Sequence, residues 1–572
     1  MMPATHSQFG AHRRLQGFLI LLALTTQPAL PQTLPPAAMP APSPASGLYR
    51  IAGTLVNAVT GEPVRRATVA VLSVEDSRPI ASVESGNGGR FALDGLPAAK
   101  YQLTASRRGF RTAFYDEHDE FSTAIVTGAG QQSTGLVFHL VPNAILRGVV
   151  TADGGDPVAG ADVMLFLKPR GHNPGERIVE AASALTDDTG AYEFGNLAAG
   201  EYLLAVKAEP WYALHRSSIN SPPRPPGDPS AALDLAYPIT YFDSTTDEAS
   251  ASPIALAGGS REEADIVLHA VPALHLTLNA PRAELGEVLP VLRHTLFGAK
   301  VFTQSLTSPP RPGQETVEFI GIAPGRYEVE QTEPKIVELD ATASQQVDAS
   351  LGIPTVEISG ALKTTSGSAL ADEVLVTLEP LDAARRQTPI QTACLQGAFS
   401  FPKVPAGDWQ LWAESHGRPL PVASIAADNH THTGSRVAVR DRPLSVVVTV
   451  SLAETRIEGF ARIIGTTGAP SDRSSSLGWK GVAGVMVVLV PRNMAFLRSL
   501  ARRDQSDSDG SFALRDVAPG SYTVVAIQDG WNLDWARPEV IGRYLPLGVA
   551  VTVTETSGKL LRLSEPVPVQ TR

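Results

Sequence analysis

The stretch DSDGSFALRD sets Asp507, Asp509 and Asp516 around Gly510. A calcium loop flanked by helices spaces its oxygen ligands and its sharp-turn glycine in that way. Two other clusters carry metal-ligating groups: DNHTHTG puts His430 and His432 on one side of an extended segment, and DEHDE gathers acids around His118 at 116–120. Ser400-Phe401-Pro402-Lys403 has the Ser-x-x-Lys spacing of a nucleophile with its base. Each has a plainer counterpart. The first ligand position of the loop would be Gln505, a neutral amide, whereas hard cations need several anionic oxygens. Its flanks alternate as strands do, so a polar turn leading into a β-hairpin accounts for the same letters. Neither the histidine pair nor the acidic run has a further ligand set nearby in sequence, and both read as solvated loops. Ser400 lies in a strand, not at the start of a buried helix. The zinc-peptidase spacings H-x-x-E and H-E-x-x-H, the G-x-S-x-G elbow, the phosphate-binding loop and the dinucleotide glycine fingerprint do not occur. The expectation is no catalytic residue, no metal, no cofactor and no enzyme.

What positions those residues is a repeat. GRFALDGLPAAKYQLTA begins at Gly89, GAYEFGNLAAGEYLLAV at Gly190, GAFSFPKVPAGDWQLWA at Gly397 and a degenerate ETVEFIGIAPGRYEVEQ at Glu315. With DGSFALRDVAPGSY they keep one spacing: Phe91 to Tyr101, Tyr192 to Tyr202, Val317 to Tyr327, Phe399 to Trp409 and Phe512 to Tyr522. A rigid internal spacing in five places marks a tandem array. The second aromatic of each pair (Tyr101, Tyr202, Tyr327, Trp409, Tyr522) has the place of a tyrosine corner, ring in the core and hydroxyl on a nearby backbone group. Trp409 lacks a hydroxyl and is expected to keep only the packing. The glycine two residues earlier (Gly200, Gly325, Gly407, Gly520) suits a positive φ. Ala99 in that place predicts a strained or differently built first corner. Upstream pieces such as IAGTLVNAVTGEPVRRATVAVL at Ile51 and LRGVVTADGGDPVAGADVMLFL at Leu146 read as strand, turn, strand. About seven short strands per hundred residues describes a Greek-key β-sandwich.

The chain of 572 residues is too long for one core, and its 49 Gly and 46 Pro fit a turn-rich fold. A net charge of −11 with scattered Lys and Arg leaves no nucleic-acid footprint. Arg13 and Arg14 ahead of the apolar run GFLILLAL have the order of an export signal, expected at 1–32. That run is too short to span a bilayer, so no transmembrane span is expected after cleavage. Cys394 is the only cysteine, which rules out an intrachain disulfide and suits a bacterial periplasm, outer-membrane surface or extracellular setting. LPPAAMPAPSPASG then reads as an extended Pro-rich linker within 33–48.

The pattern G-x-V, G-x-P-V-x-x-A-x-V, D-x-x-G-x-F-x-L-x-x-L-x-x-G-x-Y-x-L resembles the carboxypeptidase regulatory-like domain. That resemblance implies a transthyretin-like (prealbumin-like), carbohydrate-binding-like sandwich in an all-β tandem array, of the kind found in multi-repeat secreted bacterial proteins. Repeats are expected at 49–142, 143–272 with a long loop insert, 273–354 (degenerate), 355–453 and 454–572. The function this implies is an exported, non-catalytic structural or adhesive rod at the cell envelope. The alternative is a carbohydrate-binding or accessory array serving a separate peptidase or glycan-degrading enzyme. Loop aromatics would do the binding, to a glycan or an envelope protein. Trp531 and Trp535, in the last domain with a neighbour on one side only, are expected to form a free face, and Trp211 and Tyr212 to be covered.

Overall fold

The computed structural model describes residues 48–572 except 170–176, 220, 223–224, 280–289, 306–315, 331–334, 349–351, 366–369, 371–372, 382–388, 416–417, 429, 452–454, 465–478 and 555–558. The expected signal, 1–32, and all but the last residue of the expected linker lie outside the described residues.

The strands form because apolar residues alternate. Tyr101, Leu103 and Ala105 are buried along Lys100–Ser106 while the residues between them are not, so one face supplies core and the other faces out. Such strands gather around five sandwich cores, at 51–140, 144–268, 274–347, 356–450 and 457–567. The fold is all-β, a tandem array of Greek-key sandwiches.

One topology recurs. An opening strand (Tyr49–Asn57, Ala144–Ala152, Leu274–Asn279, Ile353–Thr364, Thr455–Ile464) pairs antiparallel with a turn strand (Arg90–Leu96, Ala191–Leu197, Thr316–Ile322, Ala398–Pro405, Ser511–Val517). Its other edge takes a late strand of the domain in parallel, and in the second and fifth domains two successive ones. In the facing sheet a second strand (Thr68–Ser73, Asp162–Leu167, Val291–Leu296, Glu373–Pro380, Met486–Pro491) lies between an edge strand and the corner strand. The turn strand and corner strand are therefore not the hairpin expected from the sequence. Ser511–Val517 pairs with the opening strand and Gly520–Gln528 with Met486–Pro491, so the Pro-Gly corner carries the chain from one sheet to the other. Turns next to alternating strands do not distinguish a hairpin from such a crossing.

All five corner rings donate to the carbonyl four residues back. Tyr101 reaches Pro97 O at 3.0 Å, Tyr202 Ala198 O at 2.9 Å, Tyr327 Ala323 O at 2.7 Å and Tyr522 Ala518 O at 2.8 Å. Trp409 does the same with its indole N–H, 3.1 Å from Pro405 O. The expectation that Trp409 would lose this bond is corrected, since the indole nitrogen occupies the hydroxyl's position.

The glycine two residues before each corner aromatic does not adopt positive φ. That conformation belongs to Gly95, Asn196, Gly321 and Asp516, at a β-bulge in the turn strand. At Gly520 a Cβ would instead meet the Tyr522 ring at 3.0 Å, so ring clearance is the reason for glycine there. Ala99 accordingly needs no strained backbone, and its N–H donates to Thr127 Oγ1 at 3.0 Å. The opening-strand glycine has a similar origin. Gly53, Gly148, Gly360 and Gly459 face Phe91, Tyr192, Phe399 and Phe512 across the antiparallel pair. In the degenerate third domain Leu278 faces Val317.

Candidate functional site: the junction of the first and fifth domains and an exposed aromatic loop

The segment 115–126 of the first domain lies against the edge strand Arg502–Gln505 and the following turn of the fifth domain. Lys100 Nζ is 2.6 Å from Asp507 Oδ2 and donates to Ser511 Oγ at 2.7 Å. Arg503 donates through both terminal nitrogens to Asp119 Oδ2 at 3.1 Å. Gln505 Nε2 donates to Thr123 Oγ1 at 2.7 Å and to Asp116 O at 2.5 Å, while its Oε1 faces His118 Nδ1 at 3.1 Å. Backbone groups join in: Ser508 N–H donates to Ala124 O, and Val126 N–H to Ser508 Oγ. An edge strand with its polar backbone exposed invites non-specific pairing, and here the first domain covers it.

Aromatic rings close the same junction. The His118 ring stacks on Trp531 with centroids 5.0 Å apart, and Phe121 packs at 5.8 Å. The Arg503 guanidinium lies over Phe121, Trp531 and Trp535 at 5.1, 5.8 and 4.9 Å. Its side chain is only 4 % exposed, a setting in which a cation needs both its counter-ion and the ring faces. Burial pushes the Asp507 carboxyl up from its ordinary range, and the Lys100 ammonium opposes that.

The expected exposure is reversed for Trp531, Trp535 and Trp211, while Tyr212 is half-buried. Trp531 and Trp535 are 7 % and 4 % exposed and belong to a cluster with Met486, Val488, Val525 and Ile527. The rings cover the outer face of the fifth domain's sheet, and the first domain supplies the neighbour that chain order did not reveal. Trp211 is 92 % exposed, with Tyr212 edge-on at 5.6 Å. The first and fifth domains are thus in contact, which the expected open rod did not include.

The other candidate clusters are placed as follows. Asp509 Oδ1 accepts from Ser511 N at 2.9 Å, closing its own turn, and Asp507 faces Lys100. Ser400 Oγ donates to Glu357 Oε1 at 2.9 Å and Lys403 Nζ to Glu330 Oε1 at 3.0 Å, so the two do not face one another. His430 and His432 lie on an exposed strand, and His432 Nε2 meets Arg436 O at 2.9 Å. The acidic run 116–120, read as a solvated loop, instead supplies Asp116, His118 and Asp119 to the junction. Sequence reasoning missed Arg503, Gln505, Lys100 and this run. The available signal was MVVLV at 486–490, apolar on both strand faces and buried throughout. A strand buried on both faces needs a cover on each. DVMLFL in the second domain carries the same signal, and its outer face, Met164 and Phe166, is covered by Leu296 and Phe297 of the third domain.

The fold and its paired domain surfaces define a multi-domain β-sandwich repeat protein. Residues 50–141 and 145–228 each match the carboxypeptidase regulatory-like domain, two successive matches in the first two sandwiches. No curated protein matches the chain. Among solved structures, the TIE protein of Bacillus anthracis is similar at 10 % identity, covering 72 % of this chain and 76 % of that one, with a TM-score of 0.17. The shaft pilin SpaA from Lactobacillus rhamnosus GG is similar at 8 % identity over 39 % of this chain and 98 % of its own, TM-score 0.20. The minor pilin GBS52 of Streptococcus agalactiae is similar at 12 % identity over 41 % of this chain and 99 % of its own, TM-score 0.20. Among the described residues, no helix is long and apolar enough to cross a membrane.

Proposed function

We propose that the protein is an exported, non-catalytic structural or adhesive array at the bacterial cell envelope, with Trp211 and Tyr212 as its ligand-facing residues. The observation that carries this reading is the use of its charged clusters. Asp507, Asp119, Arg503, Lys403 and Glu330, which could have done chemistry, are engaged between domains. Trp211, exposed, and Tyr212, half-buried beside it, stand on the loop insert of the second domain. Exposed Trp and Tyr suit stacking on a sugar ring or anchoring in a partner's pocket. A glycan or an envelope protein is the partner class. The N-terminal basic and apolar order supports export. The test compares the purified wild-type chain with Trp211→Ala/Tyr212→Ala in a glycan-array screen and in capture from envelope extracts. Loss of a wild-type signal in the variant supports the reading. A signal unchanged by the substitutions refutes the loop's role, and hydrolysis of a captured glycan or peptide refutes the non-catalytic one.

A further inference from the structure

The loop that carries Trp211 and Tyr212 is fastened to the third domain by a buried chain of ionisable groups. His275, on the opening strand Leu274–Asn279, has a carboxylate oxygen at each ring nitrogen: Glu318 Oε1 is 3.1 Å from Nδ1, and Asp234 Oδ2 is 2.9 Å from Nε2. Asp234 belongs to the second domain's loop, and its other oxygen lies 2.9 Å from His215 Nδ1. His215 Nε2 faces Glu209 Oε1 at 3.4 Å, at the loop's start. Glu318, on the turn strand Thr316–Ile322, has a side chain 2 % exposed. It accepts from Ser217 Oγ at 2.7 Å, Ser218 Oγ at 2.6 Å and Ser218 N at 2.9 Å, all in the loop. The fit is close: a Cβ on Gly321 of the third domain would stand 2.6 Å from the His215 ring.

Two carboxylates on one imidazole call for a hydrogen on each ring nitrogen. An ionised carboxylate only accepts, so both ring nitrogens of His275 must carry hydrogen for both bonds to exist. Burial alone would raise the acids. Nevertheless His215 and His275 hold Asp234 below the ordinary carboxylate range, and Ser218, Ser217 and His275 hold Glu318 below it. The His275 ring is the one group that serves both acids, with His215 beside it on Asp234 and the two serines on Glu318. Remove a proton from the His275 ring and one largely buried carboxylate faces a lone pair, a costly arrangement.

We infer that His275 is a proton-operated latch: as imidazolium it clamps the second domain's loop to the third domain, and on losing a proton it releases that loop. The facing ionisable groups are Glu209, His215 and Asp234 of the loop and Glu318 of the turn strand. Loss of the ring proton opens the latch by removing one of the two carboxylate bonds. Strong acid opens it by a second route, protonating Asp234 and Glu318. The functional consequence, a change in how Trp211 and Tyr212 are presented, rests on the proposed ligand-facing role of that pair, whereas the latch itself does not.

The test is backbone hydrogen exchange on the full chain at pH 6 and pH 9, corrected for the intrinsic rate change. It reads the amides of Ser218 and Ile219, which donate to Glu318. Protection in the wild type should fall tenfold or more at the higher pH, and His275→Gln, which cannot gain or lose the proton, should lose most of that dependence, only the His215 contact to Asp234 remaining. Glu318→Gln, read in parallel, should shrink the pH dependence and covers the case in which His275→Gln misfolds. Fourth-domain core amides serve as the folding control. Wild-type protection that does not change with pH, or a dependence undiminished in the folded variants, overturns the latch. Ligand binding is not read here, so failure of the latch and failure of the binding role are separable.

Discussion

Lys100 Nζ lies 2.6 Å from Asp507 Oδ2, an ion pair between residues 407 apart in the chain. Asp507 is the residue whose spacing suggested a calcium ligand, and its charge is instead met by a lysine from the far end of the array. Lys100→Met should leave the less exposed Asp507 facing no cation. An ionic hydrogen bond contributes about 1.5–3 kcal/mol, and the partial exposure of Lys100 places the effect at the lower end. Amides in 115–126 should exchange roughly tenfold faster in the variant, about 1.4 kcal/mol of lost protection. Unchanged exchange there would mean that the pair does not hold the junction. Calcium, for its part, should not raise the melting temperature, as a ligand of the folded form alone must.

The corner bonds separate packing from hydrogen bonding. Tyr522→Phe removes only the donor to Ala518 O and should cost about 1 kcal/mol. Tyr522→Ala also empties the core position and should cost about 3–5 kcal/mol. Trp409→Phe should lose the indole donor to Pro405 O as well as volume, and so exceed Tyr522→Phe. Denaturant titrations following each domain check the order, and equal small losses for both Tyr522 variants would place that ring outside the core.

Glycine is required at the opening strand for space, not for φ. A Cβ at Gly148 would sit 2.1 Å from Ala264 O and 2.8 Å from the Tyr192 hydroxyl. Gly148→Ala should cost about 1–3 kcal/mol as overpacking. At Gly86 the nearest atom to a Cβ is Arg90 O, at 3.8 Å, so alanine there should be neutral or slightly stabilising. A thermal melt showing the reverse order would remove the steric explanation.

Asp504, on the edge strand that the first domain covers, is pushed by burial up to about 7 from 3.8, while its Oδ2 accepts from Ala513 N–H at 2.5 Å. The folded form keeps a proton that the unfolded chain releases. Its stabilising contribution is therefore complete below about pH 4 and is lost as the pH rises to about 7. Fifth-domain stability should fall over that interval in the wild type and fall less in Asp504→Asn. Equal slopes in the two proteins would count against a raised carboxyl.

The repeat, the corners and the strand alternation are local, and they were legible because a rigid spacing survives in each copy. Trp409 shows the limit of reading by residue type, since what the corner needs is a donor at one point in space. Positive φ was assigned to Gly520 because glycine permits it, yet Asp516 holds it, at a bulge set by strand pairing. The junction was not legible, because it joins residues hundreds of positions apart. DEHDE and RDQSDSDG are each a polar surface run when taken alone. They become partners only when the first domain meets the fifth. Chain order left Trp531 without a neighbour, and the fold supplied His118 and Phe121.

That reversal separates the two aromatic pairs experimentally. Trp531 stacks on His118, donates from Nε1 to Gly484 O at 3.1 Å and lies beneath Arg503. Trp531→Ala should cost about 3–5 kcal/mol in the fifth domain and should also accelerate exchange in 115–126, because the first domain packs on that ring. Trp211, at 92 % exposure, touches Tyr212 edge-on. Trp211→Ala removes no core volume, so its melt should stay within about 0.5 kcal/mol of wild type. Acrylamide should quench Trp211 readily and Trp531 hardly at all, so Trp211→Phe should remove quenchable emission while Trp531→Phe should not. A binding loss in the stable Trp211→Ala chain then belongs to the surface and not to unfolding. If Trp211→Ala unfolds the second domain, or its emission resists the quencher, the loop is core and the ligand-facing role passes from it.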